Sequence, residues 1–344
     1  MTLPQIAVNF YQYAATAVVR SSKGVVCIVL RDTASAVYSF NTALDDMTGL
    51  STANQTLIKQ CFLGNPAKVI VITLTSGQVV ADAIALMAGK KFNWLVSNIT
   101  TSTFQADMVT YAKSVKQKTV VYNQAANDLH VVNFVNTSVT LTDGTTQAGS
   151  DYIIRIAGLL AGLPFTQSAT YYILSDLKDV VAVSSPVAGQ FYLINDGNAV
   201  IRVGRAINSL TTLTTSLTAD MQKITIVECL DIITEDITTE FKNNYVGKFK
   251  NRYDNQALFI SAVNGYFKAL ADDDLLDRNF LNISSVDIIA QKLAHIASGK
   301  LAVEVNAWTD IQTKLNTFNS SMFLTNSLKV LDAIEDLLFN INLF

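Results

Sequence analysis

The residues that could do chemistry in this chain are few and poorly placed to act together. There are two histidines, His130 and His295. Neither stands at ligand spacing from a cysteine or from the other, so no zinc site is expected. Asp272-Asp273-Asp274 offers the oxygen ligands calcium takes, but the loop lacks the glycine and the late glutamate that a calcium loop requires. Asp45-Asp46 and Glu235-Asp236 pair carboxylates, as a general acid and base would. Neighbours in sequence on a helix do not face each other, however, so Glu235 and Asp236 do not converge. No Gly-x-x-x-x-Gly-Lys, Gly-x-Gly-x-x-Gly or Gly-x-Ser-x-Gly pattern occurs to hold a phosphate or present a nucleophile. The expectation is a non-enzyme with no catalytic, cofactor-binding or metal-binding residues and no cofactor.

Cys27, Cys61 and Cys229 lie far apart, each inside an apolar pattern, and read as buried free thiols. Of the 344 residues 50% are apolar and only 15% charged, with a mean hydropathy of +0.30. No apolar run approaches the roughly 20 residues a spanning helix needs, so direct membrane insertion is not expected. The apolar excess must then be buried in cores or in subunit interfaces. A net charge of -3 gives no basic footprint for nucleic acid. The start, Met1 to Gln5, carries no secretory signal pattern.

Strands and helices alternate through the first half. Strands are expected at Gly24–Leu30, Lys68–Leu74, Trp94–Ile99 and Thr119–Tyr122, with helices at 52–63, 78–88 and 104–115. That order indicates a mainly parallel sheet with helices on its faces. Leu129 to Leu141 adds one or two strands. Ser150 or Asp151 is placed to cap a helix from Tyr152 to Leu163. Asn195-Asp196-Gly197-Asn198 turns a hairpin between Phe191 and Val203. Thr218 is placed to cap a long amphipathic helix, followed by helices at 255–271 and 285–297.

The two ends are distinctive. Phe339, Ile341 and Leu343 alternate with Asn340 and Asn342, the period of a half-buried strand without a neighbour in sequence. Ile6, Val8 and Phe10 alternate in the same way. Such strands can pair within the chain or be lent to other subunits. The fold class is α/β (α+β mixed): mixed sheets flanked by helices in two subdomains, with extended N- and C-terminal strand arms. The divisions are an arm at 1–22, an α/β domain at 23–148, a second domain at 149–327, and a C-terminal arm at 328–344.

Residues 150 to 344 resemble the tail sheath proteins of contractile phage tails and phage-tail-like bacteriocins. The resemblance is carried by Ile156 to Pro164 with Ser168-Ala169-Thr170-Tyr171-Tyr172. It continues through Asn195-Asp196-Gly197, Val200 to Thr212, Tyr245-Val246-Gly247-Lys248 and Leu328 to Leu337. Gly204 stands where the family often has alanine. The resemblance implies stacked hexameric rings around a tail tube, and contraction that drives the tube through a target envelope on energy stored in a metastable extended state. Its implied partners are further copies of itself, the tube protein, and baseplate and tail terminator proteins, without nucleic acid. It implies a virion tail or phage-tail-like particle, assembled in the host bacterial cytoplasm. The intersubunit strands would be Ile6, Val8 and Phe10 with Phe339, Ile341 and Leu343. Asp332, Ala333, Ile334, Glu335 and Asp336 would lead into the arm, and Lys292 and Lys300 would face the tube. The alternatives are a static oligomeric tail or shell component and a doubly wound α/β enzyme.

Overall fold

In the computed structural model, residues 24–101 and 103–343 are described. They fall into two compact units, one of residues 24–228 with 332–343 and one of residues 229–331.

The first unit is organised by β1 (Val25–Arg31). Its apolar run is buried on both faces, as expected of a central parallel strand. Successive side chains alternate between two cores: Val26, Ile28 and Leu30 enter one, Cys27 and Val29 the other. After β2 (Ala36–Phe40) and α1 (Thr52–Phe62), β3 (Lys68–Leu74) pairs in parallel beside β1. Helix α2 (Val80–Met87) then carries the chain to β4 (Trp94–Ser97), on the opposite side of β1. Helix α3 (Phe104–Val115), β5 (Lys118–Tyr122) and β6 (Val131–Phe134) complete a sheet of order β2-β3-β1-β4-β5-β6. All its pairs are parallel except β2 with β3. The parallel, helix-covered sheet matches the expectation, whereas β2 is additional. It is an antiparallel edge strand only partly buried, so its residues lack the continuous apolar run that marks the central strands.

Strands β7 (Ser138–Leu141) and β8 (Thr146–Ala148) lead into α4 (Gly149–Gly162), which is buried along most of its length. The expected caps are not used. The helix begins earlier than its apolar pattern does, Ala148 precedes it without a side-chain bond, and Asp151 instead accepts from Asn98 Nδ2 at 2.7 Å. Gly158 and Gly162 set how closely α4 lies against the end of α1. A Cβ on Gly158 would stand 2.1 Å from the Cys61 carbonyl oxygen, and one on Gly162 1.7 Å from that of Gly64. The glycines of the Ile156–Pro164 segment are thus there because backbone meets backbone. Arg155 on the same helix is buried beside Asp176, Nε to Oδ1 at 3.4 Å, and Tyr152 Oη donates to Asp176 Oδ2 at 2.8 Å. Burial pushes the Cys61 thiol up to about 12, against the opposing charge of Arg155, so it stays protonated. All three cysteines are buried thiols outside any disulfide.

Strand β9 (Leu177–Val180) joins β7 and β8 in a second sheet, and β10 (Leu193–Asn195) with β11 (Ile201–Val203) forms the expected hairpin. Gly197 in its turn has φ +87°, the left-handed region that glycine enters freely. Thr218 makes no side-chain cap, because a 3₁₀ turn at Ala219–Gln222 intervenes before α5 (Ile224–Glu240).

The second unit continues through a π-helical turn at Phe241–Tyr245 and α6 (Tyr253–Asp272). Strand β12 (Ile283–Val286) precedes α7 (Ile288–Ala297), where one longer helix was expected. Asp287 ends the strand and caps the helix, its side chain accepting from Ala290 N. Two short helices follow, α8 (Ala302–Asn306) and α9 (Asp310–Leu315), and β13 (Leu324–Ser327) pairs antiparallel with β12.

Replacing Gly158 by alanine should destabilise the chain by roughly 2–3 kcal/mol, since packed backbone cannot yield to a methyl at that distance. The urea midpoint of unfolding measures this, and an unchanged midpoint would refute the close approach.

Candidate functional site

The arm lead-in is held by a charge cluster built entirely within the first unit. Glu335 is its centre, with a side chain only 6% exposed. Thr170 Oγ1 donates to Glu335 Oε1 at 2.6 Å and Ser168 Oγ at 3.3 Å. Lys223 Nζ contacts Glu335 Oε2, and Arg205 Nη1 lies 3.5 Å from the same oxygen. Arg205 Nη2 also donates to Asp336 Oδ1 at 2.7 Å, while Lys223 Nζ stands 3.5 Å from Asp332 Oδ2. The Thr170 hydroxyl in turn accepts from Ala206 N at 2.9 Å. Two cations therefore face three carboxylates, with two hydroxyls aligned by the backbone.

Burial alone would raise the Glu335 carboxyl. Hydrogen bonds from Lys223 and Thr170, the Lys223 charge, and the Ser168 bond outweigh that and hold it below its ordinary value of 4.5. The hydrogen bond and charge of Asp336 raise Arg205 in turn. Because the folded-state value of Glu335 is depressed, its stabilising contribution is complete above 4.5. It is lost as pH falls through the lower folded value.

Sequence reasoning singled out Asp332 to Asp336, Ser168 to Tyr172 and Val200 to Thr212 as separate segments. The fold brings them to one point. Asp332, Glu335 and Asp336 enter the cluster through their carboxylates, whereas Ile334 is 98% exposed. Lys223 was not anticipated; a single lysine just before a helix carries no pattern of its own. Gly204, beside this cluster in sequence, backs onto Tyr192, where a Cβ would come within 2.7 Å of the ring.

Beyond Asp336 the chain makes no strand or helix through Leu343. Leu337, Leu338, Phe339, Ile341 and Leu343 are between 70% and 93% exposed. The alternating segment read as a strand thus has no strand partner among the described residues. An extended segment becomes a strand only by pairing. Ile6, Val8 and Phe10 lie outside the described residues.

The lysines expected to face a tube are both engaged locally. Lys292 Nζ donates to the Trp308 carbonyl oxygen at 2.7 Å, and Lys300 Nζ lies 4.8 Å from the centre of the Trp308 ring. Helix α7 itself is inverted. Its buried residues are the polar Gln291 and His295, while Ile289 and Leu293 are 73% and 59% exposed. His295 Nε2 is 2.8 Å from the Asn316 carbonyl oxygen, between the Trp308 and Phe318 rings.

The other residues of chemical interest serve local structure. Asp45 and Asp46 accept from Asn41, Thr42 and Thr48 in their own turns. Asp236 accepts from Tyr266 Oη at 2.7 Å, and Asp274 pairs with Arg278. His130 stands 3.8 Å from Asp128. Among the described residues no cluster of three or more His, Cys, Asp or Glu side chains could hold a metal ion. No helix among them is long and apolar enough to cross a membrane.

Residues 216–344 match the family described as the phage tail sheath C-terminal domain. A tail sheath protein of the Clostridium phage phiCD119 is 32% identical, with 97% of this chain and 98% of that protein covered. The crystal structure of a sheath tail protein from Desulfitobacterium hafniense superposes with a TM-score of 0.68 at 17% identity, covering 82% of this chain and 94% of the other. The contracted PVC sheath complex of an extracellular contractile injection system has a TM-score of 0.69 at 9% identity, covering 99% and 98%. The chain is a structural protein of phage and phage-like tails. It belongs to the tail sheath protein family, and within it is a sheath subunit.

Replacing Lys223 by alanine should free the arm root. Losing a charged hydrogen bond of this kind is worth about 1.5–3 kcal/mol. Cleavage after Glu335 by a glutamate-specific protease should therefore quicken at least fivefold. Equal rates in the two proteins would show that the cluster does not hold the arm.

Proposed function

We propose that this subunit polymerises into stacked hexameric rings around a tail tube and contracts to drive that tube through a target cell envelope. The observation that carries this is the C-terminal arm, fixed at its root by charge and bare beyond it. Five large apolar side chains in seven residues are exposed. A monomer gains nothing from displaying them, whereas an arm added as a strand to a neighbour covers them and satisfies its backbone. Residues Phe339, Ile341 and Leu343 are the donated strand, with Ile6, Val8 and Phe10 as its counterpart at the other end.

The two-stranded β12–β13 sheet is the acceptor we favour. Two strands alone are marginal, and their outer edges suit further pairing. Contraction then moves subunits as bodies while the arms flex between root and strand. The energy is stored in a metastable extended state, with no nucleotide consumed.

Helix α7 supplies the second surface. An outward stripe of Ile289 and Leu293 over buried Gln291 and His295 is the reverse of a solvated helix. We assign this face to the tube, with Ile289 and Leu293 making the apolar contact and Lys292 and Lys300 at its margin. Baseplate and tail terminator proteins are the partners at the two ends. The particle is a virion tail or phage-tail-like particle, assembled in the host bacterial cytoplasm.

Deleting residues 337–344 leaves the charge cluster intact and should give folded subunits that form no striated sleeves by negative-stain microscopy. Normal sleeves from that truncation would sink the strand-donation reading. Leu293→Asp should leave sleeves able to form in isolation but unable to enclose tubes. Tube-filled sleeves from that variant would remove α7 from the tube contact.

A further inference from the structure

We infer that an aromatic groove in the second unit is the pocket in which a second copy's C-terminal arm seats an apolar side chain. This rests on the strand-donation reading above and specifies where the donated arm is recognised.

The groove has a volume of about 590 Å³ and lies where the π-helical turn meets the start of α6. Its walls are the rings of Phe241, Tyr245, Phe249 and Phe259. The Tyr245 and Phe259 rings meet edge to face with centroids 4.7 Å apart, and Phe249 lies 5.2 Å from Tyr245. The π-helical turn sets Phe241 and Tyr245 nearly parallel, 6.4 Å apart. Such turns recur at functional sites, because their irregular pairing re-aims side chains. Phe249 remains 43% exposed, a large ring left on the surface beside an open cavity.

The lining also holds a polar group without an answer. Gln256 is 2% exposed, and its Nε2 donates to Asn251 Oδ1 at 2.7 Å, but its Oε1 has no hydrogen-bond partner. Asn251 is already committed, its amide donating to the carbonyl oxygens of Phe318, Asn319 and Ser321. A buried acceptor left unpaired is costly, and an occupant bearing a donor removes that cost.

The arm has the matching chemistry. Residues 337–343 carry no charge, and the groove is lined by rings and amides with Lys250 as its one charged residue. Phe339, Ile341 and Leu343 supply apolar side chains at alternate positions, and Asn340 and Asn342 supply amide donors between them. The apolar side chains of the arm are exposed and so remain to be covered. Seven extended residues reach about 23–25 Å from the root, enough to cross into a neighbour. The lining loop through Met322 runs directly into β13, so edge pairing and pocket filling can be served by one segment. In that mode main-chain bonds supply affinity and a pocket for alternate side chains supplies specificity.

The test places a photoreactive benzoylphenylalanine at position 339 of the full chain, and separately at position 10. Each is irradiated in the assembled state, and the crosslinked peptides are mapped by mass spectrometry. Position 339 should link to residues 241–259 or 319–322 of a second copy. Phe249→Ala should lower that yield about tenfold while the circular dichroism spectrum stays unchanged. Crosslinks from position 339 to another segment of a second copy would overturn the groove and leave strand donation standing. Crosslinks to the groove from position 10 alone would give it to the N-terminal arm and equally overturn the proposal. Sleeves without any intersubunit crosslink from position 339 would remove both.

Discussion

The buried carboxylate of Glu335 is the constraint from which the rest follows. A carboxylate that is 6% exposed must be paired and hydrogen-bonded, and four separate side chains arrive to do so. Lys223, Arg205, Thr170 and Ser168 come from different segments of the first unit, so the cluster forms only once that unit has folded. The arm is thereby rooted on the folded body of the first unit.

The first unit is built on a mainly parallel sheet with connections on both sides of β1. In such sheets ligands enter at the carboxyl ends of the strands, where the connections diverge on either side of β1. Arg31, Asp32 and Thr75 sit at that crevice here. Their hydrogen bonds run inward: Arg31 Nη1 donates to the Thr75 carbonyl oxygen, and Asp32 Oδ2 accepts from Ser51 N and Asn54 Nδ2. These side chains brace the loops that border the crevice.

Much of this was legible from residue order, and the boundary of legibility is physical. The central strands announce themselves because burial on both faces requires unbroken apolar runs such as Val69 to Leu74. Helix 104–115 was exact in its limits. The strands Ile283–Val286 and Leu324–Ser327 were missed, since Ile-Ser-Ser-Val and Leu-Thr-Asn-Ser carry too little apolar alternation. The caps expected at Ser150 or Asp151 and at Thr218 are not made, because the helix starts at Gly149, Asp151 accepts instead from Asn98, and a 3₁₀ turn follows Thr218. The root of the arm was reached only through the family resemblance of Asp332 to Asp336, because its partners stand 112 to 167 positions away, beyond any spacing rule. The inverted face of α7 was legible in principle: Ile289 and Leu293 alternate with Gln291 and His295, and only the fold decides which pair is inside.

In the proposed assembly, a charged root and a neutral tip make the two attachments of the arm answer to different solutes. Charge pairs weaken as salt shortens the screening length, which is about 8 Å at physiological ionic strength. Backbone pairing and apolar burial do not weaken in this way, and strongly hydrated salts reinforce burial. Concentrated sulfate would thus weaken the exposed Arg205–Asp336 pair of the root, more than the buried Glu335 contacts, while tightening the grip of the tip. The proposed mesh of arms would then loosen at its pivots without losing a link.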